Sequence, residues 1–366
     1  MKIALIGTRG IPAKYGGFET FVEELGKRLV LRDYIIDVYC RSGYYPNKIK
    51  KYQGINLIYL PEIKIKALET LLHTLISIWH ALGKSYDILF VLNSANSPWM
   101  IFPKLFKKKT ILHMDGIEWK RGKWSFLGKS YFRFAEKLAT KISPVLICDS
   151  KEIQKFYKKE YGKDIHYISY GAELRFSLDK SILNRFSLEP NEYFLQITRF
   201  EPENNPLLAI QAFEKLNTTR KLVFVGGTRY ESEYTKKMYA TQDSRIQFLG
   251  FIYDKSVLSE LLCNCSAYIH GNEVGGTNPA LLEAMASGCF VISRDVPYNR
   301  EVLQDAGIYF KKNSSDLEKK LLWTLNNLDR LQQKKEKARI VIQQNYSWEL
   351  VVKKYENLLC SLFEKR

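Results

Sequence analysis

The segment His270-Gly-Asn-Glu273-Val-Gly275-Gly276-Thr277-Asn278-Pro279, running on to Glu283, carries the clearest chemistry in the chain. It follows a short apolar run, Ala267–His270, and leads into a helical pattern, so it reads as strand, glycine loop and helix. Asn278 is a favoured helix N-cap and Pro279 a favoured first helical residue. Gly275 and Gly276 let the amides around Gly276 and Thr277 approach an anion, with the helix dipole behind them. Glu283, about one turn in, can accept hydrogen bonds from ribose hydroxyls. A diphosphate beside a ribose fits this arrangement; so does a capped helix with a surface glutamate.

Three further blocks stand at the ends of apolar runs. In Thr198-Arg199-Phe-Glu-Pro-Glu-Asn204-Asn205-Pro206, Arg199 is placed to pair with a phosphate, or serves as a structural arginine. In Gly7-Thr-Arg-Gly10-Ile-Pro-Ala-Lys-Tyr-Gly16-Gly17-Phe-Glu19, the pair Gly16 and Gly17 opens a helix, where it either meets phosphate or sugar or merely makes a turn. The glycine spacing is not Gly-x-Gly-x-x-Gly, and no Gly-x-x-x-x-Gly-Lys-Ser/Thr occurs, which disfavours a dinucleotide dehydrogenase and a P-loop enzyme. In His113-Met-Asp115-Gly-Ile-Glu118-Trp119-Lys120-Arg121, the two carboxylates suit a base or an electrostatic partner at a reacting hydroxyl. Trp119, Lys120 and Arg121 suit stacking on a sugar or holding a phosphate. His113 reads as a satisfied buried histidine.

These blocks must be positioned by strands, and the pattern supplies them. Buried-strand runs are expected at 2–6, 35–40, 55–60, 87–92, 110–114 and 145–149, with helices at 18–31, 65–82, 131–141 and 150–161 between them. After a polar stretch, 171–191, the alternation restarts with strands at 193–197, 221–225, 246–249, 267–270 and 289–293. Helices are expected between them near 205–216, 231–241, 255–263 and 279–287, and residues 316–366 read as helices alone. The fold class is therefore α/β, with two doubly wound, Rossmann-like domains facing across a cleft.

The 366 residues suit two domains with ample cores, and 46% hydrophobic with 26% charged residues excludes a disordered or collagenous chain. Net charge is +17, but residues 1–175 hold 30 basic and 16 acidic side chains and the rest hold 26 and 23. The first half should meet something anionic. The six cysteines form no Cys-x-x-Cys and gather no histidines, so no metal site is expected, and no Asp-x-Asp stands at a strand end. The longest apolar stretch, 67–82, falls short of the ~20 residues a membrane span needs.

Taken together, GTRGIPAKYGGFE (7–19), DGIEWKRGKWS (115–125), RFEPENN (199–205) and GGTNPALLEAM (275–285), in that order, resemble the two-domain GT-B glycosyltransferases of retaining family 4, and within it the bacterial rhamnosyltransferase branch. The resemblance covers nearly the whole chain. It implies domains at 1–175 (acceptor side) and 176–345 (donor side), with a last helix at 346–366 returning to the first. It implies transfer of a sugar from a nucleoside-diphosphate donor, dTDP-L-rhamnose, with no further cofactor, to a polyprenyl-diphosphate-linked saccharide in surface polysaccharide synthesis. The enzyme would be cytoplasmic and peripheral on an anionic membrane, with 104–109, 63–82 and 119–134 as contact surfaces. The implied catalytic residues are Asp115, Arg199 and Glu283. The implied donor contacts are Gly16, Gly17, Arg199, Asn204, Ile252, Gly276, Thr277, Asn278 and Glu283, and the acceptor side holds Glu118, Trp119, Lys120 and Arg121. Two family positions differ. Glycine stands at 275, where relatives carry a first glutamate, with Glu273 two places off, and Asn204 stands where relatives carry a lysine. A nucleic-acid-binding protein, suggested by the basic half, lacks any binding motif, so no nucleic-acid partner is expected. A non-catalytic nucleotide-sugar-binding module is the remaining alternative.

Overall fold

The computed structural model describes residues 1–13, 16–63, 65, 68–122, 124–228 and 231–364. Lys14 and Tyr15 of the first glycine loop, Lys64, Lys66 and Ala67 ahead of the second helix, and Lys123 lie outside the described residues. The chain divides into two compact units, Met1–Tyr170 with Trp348–Arg366, and Gly171–Ser347.

In the first unit the order is Lys2–Ile6 (β1), Gly17–Val30 (α1), Ile35–Arg41 (β2), Lys51–Tyr52 (β3), Ile55–Leu60 (β4), Glu69–Leu82 (α2), Ile88–Leu92 (β5), Ile101–Leu105 (α3), Lys109–His113 (β6), Phe126–Ile142 (α4), Val145–Cys148 (β7), Lys151–Tyr161 (α5) and His166–Tyr167 (β8). The sheet order is β3-β4-β2-β1-β5-β6-β7-β8, and only the β3–β4 pairing is antiparallel among the described residues. Strands β1 and β5 are almost wholly buried, as a sheet covered on both faces requires. β1 has β2 on one side and β5 on the other, so the connections after β1 and β5 diverge and leave a crevice at the strands' carboxyl ends.

The second unit runs Tyr193–Arg199 (β9), Pro206–Phe213 (α6), Lys221–Gly227 (β10), Glu233–Tyr239 (α7), Ile246–Phe248 (β11), Lys255–Cys263 (α8), Ala267–His270 (β12), Pro279–Ala286 (α9), Val291–Arg294 (β13), Pro297–Leu303 (α10), Ile308–Phe310 (β14), Ser314–Asn326 (α11) and Leu328–Val341 (α12). Its sheet order is β11-β10-β9-β12-β13-β14, parallel throughout, and the switch point falls between β9 and β12. Phe194, Phe213, Phe224 and Phe290 fill its core.

The expected strands and helices are present, with shifted ends. The second helix begins at Glu69 rather than 65, and the fourth begins at Phe126 rather than 131. Ser125 explains the earlier start, because its hydroxyl accepts the Gly128 N–H at 3.4 Å and caps the helix there. β3, β8, β14, α3 and α10 were not expected; the three strands have two or three residues and α3 five, too few to show a period.

The chain leaves the first unit between Tyr170 and Gly171. Tyr170 stacks on His113 inside that unit, whereas the Ala172 N–H donates to Tyr346 O at 2.8 Å in the second. The chain re-enters the first unit at Trp348–Glu364 (α13). There Tyr355 packs on Phe21 and Phe90, with ring centroids at 5.6 and 5.8 Å, and Arg28 lies 5.0 Å from the Trp348 ring. Arg32 grips both oxygens of Glu349 at 2.7 Å. Tyr355 is fully buried, so Tyr355→Ala should cost about 3–5 kcal/mol, the usual loss for deleting a core aromatic ring. Denaturant unfolding followed by a probe in the first unit measures it.

Candidate active site

The turn after β9 and the loop after β12 meet at the switch point of the second unit. Arg199 ends β9, half-exposed, with Glu201 its carboxylate partner at 3.6 Å. Asn204 is buried, and its side-chain amide donates to the Arg199 carbonyl at 2.9 Å. Its own carbonyl accepts from Gln196 Nε2 at 3.0 Å. Asn204, expected among the donor contacts, is thus turned inward, where it holds the backbone that carries Arg199. Asn205 donates to Gly271 O at 2.8 Å, and the Glu273 N–H donates to Glu203 O at 3.0 Å. These two cross-links lock the two segments edge to edge.

Beyond them, Gly275 has φ +138°, with open space where a Cβ would sit. Gly276 is half-exposed and Thr277 is buried. Asn278 adopts extended geometry and spends its side-chain oxygen on the Ala280 N–H at 2.9 Å, capping α9. The amides of Gly276 and Thr277 lead into the positive end of α9's dipole. Glu283, on the same helix, is paired with Arg175 at 3.5 Å. Glu273 does not stand beside it as a second open carboxylate. Its Oε1 faces Arg294 Nε at 2.8 Å and its Oε2 faces Lys312 Nζ at 2.6 Å. Burial alone would raise its pKa; those two cations and Asn205 reverse the sign and hold the carboxyl below its usual range. Ile252 is half-buried in the segment after β11, and its sequence neighbours Phe251 and Tyr253 are exposed with their rings stacked on each other. Gly250 O ties that segment to β10 by accepting the Gly226 N–H at 2.7 Å.

In the first unit His113 joins two predicted blocks. Its ring is buried, edge-on to Phe18 in the first turn of α1 at 5.4 Å, and its Nδ1 accepts the Asp115 N–H at 3.2 Å. Phe18, one residue after Gly17, and Asp115 thus meet at one neutral imidazole, and Gly16 is the N-cap of the helix that carries Phe18. Asp115 has φ +60°, a left-handed geometry that costs about 1–2 kcal/mol and is retained chiefly where a site uses it. Glu19 and Glu23 fold the first glycine loop back onto α1 by accepting the Arg9 and Ala13 N–H groups at 3.1 and 2.8 Å. Carboxylates of the helix itself therefore already serve part of that predicted anion cradle.

The residues expected to hold an acceptor are mostly occupied within the loop. Glu118 is buried, pairs with Arg121 Nε at 2.5 Å and accepts from Trp124 Nε1 at 3.2 Å. Trp119 donates to Glu136 Oε2 at 3.0 Å under Arg133, which lies 4.3 Å from its ring. Lys120 is exposed, 5.6 Å from the same ring. Among the described residues no three His, Cys, Asp or Glu side chains gather as a metal site, and no helix is long and apolar enough to cross a membrane.

Comparison with known proteins separates the two units. Residues 1–173 match a family described as a domain of unknown function, DUF1972, and residues 181–341 match the family described as glycosyl transferases group 1. An uncharacterized glycosyltransferase of Methanocaldococcus jannaschii is 25% identical across 94% of both chains. A capsular polysaccharide biosynthesis glycosyltransferase of Staphylococcus aureus is 30% identical over 38% of this chain and 39% of its own. Among solved structures, sucrose-phosphate synthase of Thermosynechococcus elongatus superposes with a TM-score of 0.86 at 17% identity, covering 100% of both chains. Anabaena HepE in complex with UDP-glucose superposes at 0.81 and 16% identity, covering 99% of this chain and 100% of its own.

The fold is GT-B, and residues 181–341 are a group 1 glycosyltransferase domain.

Several residues that shape this glycosyltransferase domain gave no local signal in the sequence. Arg294 and Lys312 reach Glu273 from later strand ends, and Asn205 reaches Gly271 from an earlier one. His270, like His113, is buried, and burial pushes both imidazoles down to about 3. Glu136 is buried beneath Trp119, and burial pushes its carboxyl up to about 7 against the donors Trp119 and Tyr161. The two histidines titrate near 6.5 when unfolded, so their stability contribution is complete above about pH 6.5. It is lost as pH falls towards 3, by up to about 1.4 kcal/mol per pH unit for each. Glu136 acts oppositely: its contribution is complete below about pH 4.5 and is lost as pH rises to about 7. Denaturant melts at pH 7 and 5 should show that His113→Phe loses less stability on acidification than the wild type. Equal losses would mean that His113 is not held neutral.

Proposed function

We propose that this glycosyltransferase moves L-rhamnose from dTDP-L-rhamnose, with retention, to a polyprenyl-diphosphate-linked saccharide on the inner face of the cell membrane, in surface polysaccharide synthesis. The observation that carries the reading is the cross-linked pair of loops at the β9–β12 switch point. It holds the turn that follows Arg199 against the loop that runs on to Gly276, Thr277 and the N-terminus of α9. Charge complementarity there favours a diphosphate, and Glu283 supplies the acceptor for ribose hydroxyls. The HepE complex with UDP-glucose supports a nucleotide-sugar donor, and the capsular relative supports a polysaccharide product. The rhamnosyl donor rests on the four sequence blocks that resemble the rhamnosyltransferase branch.

In the proposed reaction the bond from the anomeric carbon to the diphosphate oxygen breaks, and its electron pair stays on the leaving phosphate. The acceptor oxygen bonds the same face of that carbon, and its proton passes to the leaving phosphate. Negative charge thus grows on the diphosphate only as the bond breaks. Arg199 and the α9 amides then act on the transition state more than on the bound donor. Asp115 orients the acceptor hydroxyl or offsets positive charge on the sugar ring, without a covalent bond. No metal is assigned a part in this scheme.

The basic first unit gives the lipid-linked acceptor its rationale. The donor diphosphate belongs to the second unit, which is close to neutral, so the excess charge of the first is left for an anionic acceptor and surface. Arg199→Ala should lower kcat/KM for the nucleotide sugar about 100-fold, and Asp115→Asn should lower kcat by a comparable factor. Steady-state kinetics with dTDP-L-rhamnose and a polyprenyl-diphosphate saccharide measures both. Losses under about threefold for Arg199→Ala and Glu283→Ala would remove the donor-site assignment.

A further inference from the structure

Unit 1 exposes two patches that combine large apolar side chains with lysines. The first is built on α2 and α3: Trp79 lies 4.9 Å from Phe102 and 6.2 Å from Phe106, beside exposed Leu105, Lys104 and Lys107. Leu105 to Lys108 immediately precede the first residue of β6, so this patch lies at the amino-terminal edge of the parallel sheet. The second is the start of α4, reached from the carboxyl end of β6 through the Asp115 loop. Phe126 and Leu127 are 82% and 78% exposed, side by side, behind a Ser125 cap that fixes where the helix begins.

The outward face of α4 is graded. Its buried residues, Phe132, Ala135, Glu136 and Ala139, share one side. At 3.6 residues per turn, Phe126, Leu127 and Phe134 lie on the opposite side near its start, followed by Lys137 and Lys141. Between residues 116 and 148 the acidic residues are Glu118 and Glu136 alone, and both are buried. The surface charge of this segment is therefore positive throughout, with Lys120 and Arg133 exposed beside the helix start. Trp124 ties the helix to the loop: its Nε1 donates to Glu118 at 3.2 Å and its ring packs on Phe132 at 4.8 Å. An apolar tip held rigidly, with cations around and behind it, is the pattern that lies in a bilayer interface, the tip at the acyl boundary and the cations among anionic headgroups.

We infer that the tip Phe126–Leu127, with the basic face of α4, is the element that inserts into an anionic membrane surface, and that the α2–α3 patch is not. The inference rests on the lipid-linked acceptor proposed above and names where the first unit meets the lipid. The choice between patches follows from edge. A lipid-linked acceptor must reach the Asp115 loop, and α4 starts at the same carboxyl edge as that loop, whereas the Trp79–Phe106 patch borders the opposite one.

Flotation with vesicles of phosphatidylglycerol and phosphatidylethanolamine, against phosphatidylcholine alone, tests it. Wild-type protein should float with the anionic vesicles and stay behind with the neutral ones. The double substitution Phe126→Ser and Leu127→Ser should reduce the bound fraction at least about tenfold, and Leu105→Ser with Phe106→Ser should leave it unchanged. Both pairs are exposed, so neither opens a core. Unchanged flotation of the α4 variant, a loss confined to the α3 variant, or equal binding to both vesicle types overturns the inference. No flotation with either vesicle also overturns it and points to a protein partner on this face. Turnover separates this from the proposed reaction. With a short-chain, water-soluble diphosphate-saccharide acceptor, the α4 variant should match wild type, while with the vesicle-embedded acceptor it should fall. Absence of wild-type turnover on the soluble acceptor would count against the proposed function and leave the flotation result standing.

Discussion

The candidate donor site depends on the close approach of two backbones. A Cβ at Gly271 would overlap the Asn204 carbonyl, so only glycine lets the loop after β12 lie against the turn after β9. That contact brings the Asn205 amide to Gly271 O and the Glu273 N–H to Glu203 O. It also fixes Asn204, whose side chain then has one partner within reach, the Arg199 carbonyl. Arg199 is therefore placed by backbone-to-backbone packing at one remove, more than by its own side-chain partner, Glu201, which stands 3.6 Å away in a partly exposed pair. A side chain that must respond to charge developing during a reaction is better held this way, since its guanidinium is left with one long ion pair rather than a tight bidentate one.

The first unit solves the same positioning problem with a ring. His113 sits where α1, the Asp115 loop and Tyr170 converge, and as a neutral imidazole it accepts a backbone N–H while its faces pack on aromatic rings. A phenylalanine would fill the space without accepting that hydrogen bond. A charged histidine would lose the acceptor and bury a cation. Burial holds the ring neutral, and neutrality keeps Asp115 in its left-handed conformation. The desolvated imidazole and the strained aspartate are two ends of one arrangement.

Much of this was legible in the sequence, for identifiable reasons. The buried strands are contiguous apolar runs, and their carboxyl ends are marked by glycine, asparagine or aspartate, so the blocks at 7–19, 115–121, 199–205 and 270–283 fall where a doubly wound fold places ligands. Asn278 and Pro279 announced the start of α9, and the structure uses both as read. What was not legible depends on partners distant in the chain. Asn204 looks like a ligand contact by its neighbours in sequence and becomes a backbone clamp through burial. Trp119 looks like a sugar platform and instead spends its indole N–H on Glu136 in α4. β3, β8 and β14 exist because neighbouring strands offer an edge, a reason that no period of two or three residues can carry.

The glycine at 275 and the carboxylate at 273 bear on what the loop can recognise. A glutamate at 275 would have to accept φ +138°, which side chains rarely adopt, so replacing the residue alone would not restore an acidic contact without moving the loop. Nor is Glu273 a ready substitute. Turning its carboxylate towards a ligand would strip Arg294 and Lys312 of a shared partner, and Arg294 is itself mostly buried. Leaving a buried cation unpaired costs more than one new hydrogen bond to a sugar hydroxyl returns. Between β12 and the cap of α9 the loop would therefore offer a ligand backbone donors and positive helix-end potential, and Glu283 stands apart within α9. In the proposed reaction such a loop would discriminate strongly for the anionic part of a donor and weakly among sugar hydroxyls, which would leave sugar selection to contacts elsewhere in the protein.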